Sequence, residues 1–147
     1  MMRTIQAFAY PARFKLAEEG RYLVTFRDFP GATDGADFSE AMTEAIDFLE
    51  SALGHLVHYE MDIPSPSPVR RNEILVSPSA VTAAQVALYS TMRAEKVSAK
   101  DLAKRLKLPV ADVLRLVDLA SYPPVEKIER ALAALGHRLT VAPEAAE

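Results

Sequence analysis

Two hydrophobic periods divide the chain. Between residues 10 and 16, apolar Tyr10, Ala12, Phe14 and Leu16 alternate with Arg13 and Lys15, the period of a half-buried strand. Glu18-Glu19-Gly20 supplies a turn in which Gly20 can take a positive φ. Tyr22, Val24 and Phe26 then alternate with Arg21, Thr25 and Arg27 in a returning strand. Asp28-Phe29-Pro30-Gly31 and Asp34-Gly35 break the pattern, leaving a short third strand near Ala32–Asp37. Past Ser39 the period lengthens. Met42, Ile46, Leu49, Leu53 and Leu56 recur at helical spacing, flanked by Ala45, Phe48 and Ala52. They predict one amphipathic helix over about residues 39–60, covering one face of the sheet. Ser39 is its expected N-cap, and Glu40 sits favourably against the helix dipole.

Prolines at every second position in Ile63-Pro64-Ser65-Pro66-Ser67-Pro68 cannot continue a helix and favour a stiff extended segment. Glu73-Ile74-Leu75-Val76 reads as a strand returning to the sheet, which places the domain boundary after Pro78. From Ser79 the pattern is helical. A first helix is expected over Ala80–Ala94. Ser98 caps a second through Leu106, and Pro109 starts a third through about Leu119. Pro123-Pro124 opens a fourth, ended by Gly136 as the C′ residue. His137–Val141 reads as a short terminal strand. The expected class is α+β: a sheet-and-helix module over residues 1–78 and an all-helical module over residues 79–147 with a short C-terminal strand.

Charge adds an asymmetry to this division. The chain carries −3 overall. Residues 1–69 hold five bases against eleven acids, a net −6, whereas residues 93–115 hold seven bases against three acids, a net +4. Such a swing can arise by chance; as a signal it suggests one basic partner and one polyanionic partner. With no cysteine, disulfides, Cys-ligated metals and thiol nucleophiles are excluded. No apolar run approaches the roughly 18 residues a membrane span needs, and Met1–Gln6 lead into the alternating pattern without a signal-peptide core. A cytoplasmic protein is expected.

The stretch Val97–Val117 carries the clearest candidate chemistry. Two short helices that cross closely need a small residue at the approach, and Ala103 is there. Leu102, Leu106, Leu108, Val113 and Leu116 are spaced to pack inward. Lys100, Lys104, Arg105, Lys107 and Arg115 surround the exposed end, and Ser98 could offer helix-terminal amides to a phosphate. The same spacing also fits a plain helical hairpin with solvated charges.

This stretch resembles the helix-turn-helix of the Cro/lambda-repressor (Xre-like) superfamily, and the similarity continues through Glu126–Leu139. The first half independently resembles HicB antitoxins. It does so through Tyr10-Pro11-Ala12, Gly20–Phe26, Asp28-Phe29-Pro30-Gly31, Ser39-Glu40-Ala41-Met42 and Ile63–Ser67. The resemblance implies a partial RNase H-like N-terminal domain that binds and silences a HicA-type toxin, a small, generally basic, mRNA-cleaving ribonuclease. It further implies a C-terminal domain that binds operator double-stranded DNA as a homodimer and represses transcription. Carried over by position, Val110, Ala111, Asp112 and Arg115 would face the major groove, with Ser98, Lys100 and Lys107 at the phosphates. Toxin-binding candidates are Tyr22, Phe26, Asp28, Phe29 and Pro30. Two departures matter. Val110 and Ala111 replace the polar residues common in the superfamily and offer only apolar contact. Ala120-Ser121 stands where members often carry Arg-His.

Other signals point elsewhere with less force. His55 and His58 lie three apart on the predicted helix, but no third histidine is near and HExxH is absent. Asp28, Asp34 and Asp37 lie in turn-like segments rather than converging as a two-metal nuclease requires. Phe29-Pro30 reads either as a partner anchor or as a core cap. No enzyme activity and no cofactor are expected. The competing functions are a ligand-sensing helix-turn-helix regulator without a toxin partner and a nuclease with a nucleic-acid-targeting domain.

Overall fold

Strand register explains how the first half folds. The computed structural model describes residues 8–143. β1 (Tyr10–Leu16) pairs antiparallel with β2 (Tyr22–Phe26), placing Ala12 opposite Phe26 and Phe14 opposite Val24. β3 (Ala32–Gly35) adds to β2, and β4 (Ile74–Val76) adds to β1 with Tyr10 opposite Val76. The sheet order is β3-β2-β1-β4. Because side chains alternate, this register turns Tyr10, Ala12, Val24, Phe26 and Val76 to one face, where they are buried. α1 (Phe38–His58) covers that face with Ala41, Ala45, Leu49 and Leu53, all fully buried at four-residue spacing. Nothing among the described residues covers the other face in the same way: Arg13, Lys15, Leu23, Thr25 and Arg27 all stand exposed along it.

Two boundaries differ from expectation. The α1 N-cap is Asp37, not Ser39. Asp37 is extended (φ −143°), and its carboxylate accepts the Glu40 N–H at 2.8 Å. Starting earlier lets Phe38 enter the helix and pack its ring against Phe14 and Tyr22, at 5.1 and 5.8 Å. The terminal strand also fails to form: His137–Val141 is irregular. A strand needs a hydrogen-bonding neighbour, and within the described chain all paired strands belong to the first half. Gly136 (φ +80°) ends the preceding helix as expected, with the His137 N–H donating back to the Leu132 carbonyl at 2.9 Å.

Four helices follow: α2 (Ala80–Glu95), α3 (Ala99–Leu106), α4 (Val110–Val117) and α5 (Val125–Ala134). Ala84, Leu88 and Met92 of α2 join Leu102, Val113, Leu116, Ile128 and Leu132 in a second core. Val86, on another side of α2, belongs instead to the first core, where Leu119 also packs. α2 therefore ties the two cores together. The Ser79 N–H donates to Glu50, the Tyr89 hydroxyl to the Met61 carbonyl at 2.7 Å, and buried Gln85 to the Asp118 carbonyl at 2.8 Å.

The proline-rich segment is pinned rather than loose. The hydroxyl of fully buried Tyr10 donates to the Pro64 carbonyl at 2.7 Å, and Asp28 accepts from the Ser67 N–H and hydroxyl. Burial, with Asp28 adding to it, pushes the Tyr10 phenol well above the usual tyrosine range. The sign follows from linkage. In the unfolded chain the phenol ionises near 10, so its stabilising contribution is intact below that pH and is lost as pH rises beyond it toward the folded value. Burial shifts Tyr89 in the same direction. Tyr10→Phe is expected to cost about 1 kcal/mol at neutral pH and to flatten part of the alkaline decline. Urea unfolding at neutral pH and above about pH 10.5 measures both; an unchanged alkaline slope would count against this assignment.

Candidate nucleic-acid and partner interfaces

α3 and α4 are eight-residue helices joined by a tight turn. Ser98 caps α3, its hydroxyl oxygen accepting the Asp101 N–H at 3.1 Å. α3 ends at Lys107, whose left-handed conformation (φ 56°) reverses the chain, and the Leu108 N–H returns to the Ala103 carbonyl at 3.0 Å. Pro109 pre-sets the start of α4. Leu102, Ala103, Val113 and Leu116 are buried in the second core, and Ala99, Leu106 and Val117 pack half-buried against it.

The expected nucleic-acid residues fall on two adjoining strips. Ser98, Lys100 and Lys107 are exposed on α3 and its turn, together with Lys104 and Arg105. Val110, Ala111 and Arg115 are exposed on α4, while Asp112 is half-buried with its carboxylate 3.4 Å from the Arg115 guanidinium. That exposed pair is weak, so Arg115 can turn outward at little cost. Leu114 escaped the sequence reading. It is 52 % exposed on α4, one position past buried Val113. Leu108, expected to pack inward, is also exposed. Beside α4 an open cleft of about 390 Å³ runs past Leu108, Tyr122, Pro123 and Lys127.

In the first half the candidates separate. Phe26 and Phe29 are each only 5 % exposed. Phe26 stacks on Phe48 at 5.6 Å, and the Phe29 ring meets Tyr10 edge-on at 4.8 Å. Tyr22 is half-buried against Phe38, and Asp28 is held by Ser67. Pro30 alone of the five is openly exposed. His55 and His58 are exposed beside Tyr59, and no cluster of three or more metal-ligating side chains occurs among the described residues.

Charge within this half is sorted by face, which a sum along the chain hides. The 21 residues of α1 include Glu40, Glu44, Asp47 and Glu50 but no lysine or arginine. Of these four carboxylates Glu40 and Asp47 are exposed and Glu44 and Glu50 half-buried, and none meets a lysine or arginine on its own helix. The open sheet face carries Arg13, Lys15, Arg21 and Arg27. Arg21 pairs with Asp34 at 2.9 Å. Arg27 pairs with Glu73 at 2.8 Å, which holds the Glu73 carboxyl down at about 2.

Residues 9–87 match the family model described as the HicB-like antitoxin of bacterial toxin-antitoxin systems. The chain belongs to the HicB-like antitoxin family. That match runs through β4 into α2 and includes Val86, the α2 side chain that completes the first core. Curated relatives extend the similarity over the helical half. Antitoxin HicB of Escherichia coli (strain K12) is 30 % identical over 90 % of this chain and 96 % of its own length. Antitoxin HicB 1 of Photorhabdus laumondii is 30 % identical over 95 % and 90 %, and Antitoxin HicB of Pseudomonas fluorescens is 36 % identical over 76 % and 77 %. An antitoxin role follows for this HicB-like chain. No helix among the described residues is long and apolar enough to cross a membrane.

Proposed function

We propose that this antitoxin neutralises a small basic HicA-type ribonuclease through its first half and represses its own operon through α3 and α4, acting in the cytoplasm as a non-catalytic homodimer. The observation that carries the first part is the acidic outer face of α1, set on a family match over the same residues. Complementary fields speed encounter and fix orientation. Pro30 and Asp28 at the adjoining corner would complete the toxin surface. Tyr22, Phe26 and Phe29 would act from behind it by holding that corner in shape.

Support for the second part is the pair of short helices α3 and α4 joined by a tight turn, with five exposed cations carried on them. In such a reader α4 enters the major groove while Ser98, Lys100 and Lys107 meet phosphates. Val110, Ala111 and Leu114 would offer apolar contacts to thymine methyls, leaving Arg115 as the main base reader, with Asp112 orienting its guanidinium. Two-fold operators call for a two-fold protein, hence the dimer.

One experiment tests both halves. The chain is co-expressed with the small basic protein encoded beside it, and the purified complex is titrated with duplex DNA from its own promoter. Arg115→Ala is expected to weaken operator binding about tenfold while the toxin still co-purifies. Loss of the toxin from that variant would overturn the separation of surfaces, and failure of the wild-type chain to retain any neighbour-encoded protein would overturn the antitoxin mechanism.

A further inference from the structure

The open face of the sheet holds an arginine cleft that the antitoxin reading does not use. Its volume is about 360 Å³, and Arg13, Thr25, Arg27, Arg70, Arg71 and Asn72 line it together with Glu73. Four arginines and one glutamate thus line it. Glu73 is already spent on Arg27, which reaches it through both Nε and Nη2 at 2.9 and 2.8 Å. Among the described residues no side-chain partner is found for Arg13, Arg70 or Arg71.

The local structure holds these charges together against their mutual repulsion. Arg13 on β1 lies directly across from Thr25 on β2. The other wall is a tight turn: the Glu73 N–H returns to the Arg70 carbonyl at 3.1 Å, the Arg70 N–H donates to the Glu73 carboxylate at 2.8 Å, and Asn72 takes a left-handed φ of 69°. Arg27 fastens this turn to the sheet by also donating to the Pro68 carbonyl. Arg70 and Arg71 are thus delivered to the cleft by a backbone fixed at both ends, with no salt-bridge partner for either guanidinium among the described residues. Uncompensated like charges gathered in a concave site raise the local concentration of anions.

We propose that this cleft binds the phosphodiester backbone of single-stranded RNA. Arginine forks match phosphate oxygens in pairs, and the Thr25 hydroxyl and Asn72 amide add neutral hydrogen-bonding groups between them. A flexible strand can lower one or two phosphates into a cleft of this size, whereas the rigid duplex proposed for α4 presents its phosphates on a convex surface. The acidic face of α1 lies on the opposite side of the sheet, so a basic protein on α1 and a polyanion on the arginines need not compete for surface.

The test uses the full chain and a fluorescently labelled single-stranded RNA of about twelve nucleotides, with duplex promoter DNA as the second probe. Replacing Arg13, Arg70 and Arg71 together by alanine is expected to weaken RNA binding at least about tenfold and to reduce its salt dependence, leaving duplex affinity unchanged. Lys100→Ala, Lys104→Ala and Lys107→Ala together should do the reverse. Circular dichroism and an unchanged duplex affinity establish that the arginine variant is folded. Equal RNA binding by the arginine variant and the wild type would overturn the proposal. So would no RNA binding at low salt, or displacement of RNA by a poly-glutamate peptide more readily than by unlabelled RNA, which would assign the cleft to acidic protein.

Discussion

Gly35→Ala is expected to destabilise the first half more than any other single-methyl change. A Cβ at residue 35 would lie 2.3 Å from the Ala41 nitrogen, 2.6 Å from its Cα and 2.8 Å from the Glu40 carbonyl carbon. All three are backbone atoms of the first turn of α1, so no side chain can rotate away. Either β3 moves off the sheet edge or the helix start lifts, pulling Ala41 and Ala45 out of the core and straining the Asp37 cap. Overpacking of this kind costs about 3 kcal/mol or more, a large fraction of the roughly 5–15 kcal/mol that holds a domain together. Gly20→Ala is the control: its φ is +79° but nothing lies within 4 Å of the new methyl. Only conformational strain is added there, about 1 kcal/mol. Urea unfolding of both variants would show equal losses if the contact with α1 were unimportant, and that result would sink the packing account.

The second large effect concerns DNA. Replacing Lys100, Lys104 and Lys107 with alanine removes three exposed cations from one side of α3 and its turn. If each neutralises one phosphate, the slope of log affinity against log salt should fall by close to 3, and affinity near physiological salt should drop about a hundredfold. Stability should barely move, because none of the three is packed in a core. A salt titration by fluorescence anisotropy reads both quantities. Unchanged slopes would mean that duplex DNA is held elsewhere, and the helix-turn-helix assignment would fail with it. Arg115→Ala should differ in kind: it discriminates between operator and random duplex, since a base reader carries specificity while a lysine on phosphate does not.

Much of the architecture was legible because period reports burial. The alternation in Tyr10–Leu16 and Tyr22–Phe26, the helical stripe from Met42 to Leu56, and the Ser98 and Gly136 boundaries all rest on interactions within a few residues. Errors arose where neighbours decide. Ser39 and Asp37 are both competent caps by residue type, and only the seat for Phe38 between Phe14 and Tyr22 selects Asp37. His137–Val141 has strand-forming residues but, among the described residues, no strand pairs with it. Leu108 matches a core position in its pattern yet faces solvent.

The candidate sites divide along the same line. Exposed cations on α3 and α4 are close in sequence, so spacing alone placed them on one surface. The arginine cleft joins β1, β2 and a turn some sixty residues away, and no local pattern links Arg13 to Arg70. Phe29 was ambiguous because the ring it meets most closely, Tyr10, comes from across the fold. Local periodicity, capping and charge spacing are short-range properties, and through them the sequence by itself determined the elements, their buried faces and a cationic helical pair. Only the tertiary structure decided which distant charges converge, that the acidic half has a basic face, and that Gly35 must have no side chain, because those facts depend on contacts between segments that chain order does not encode.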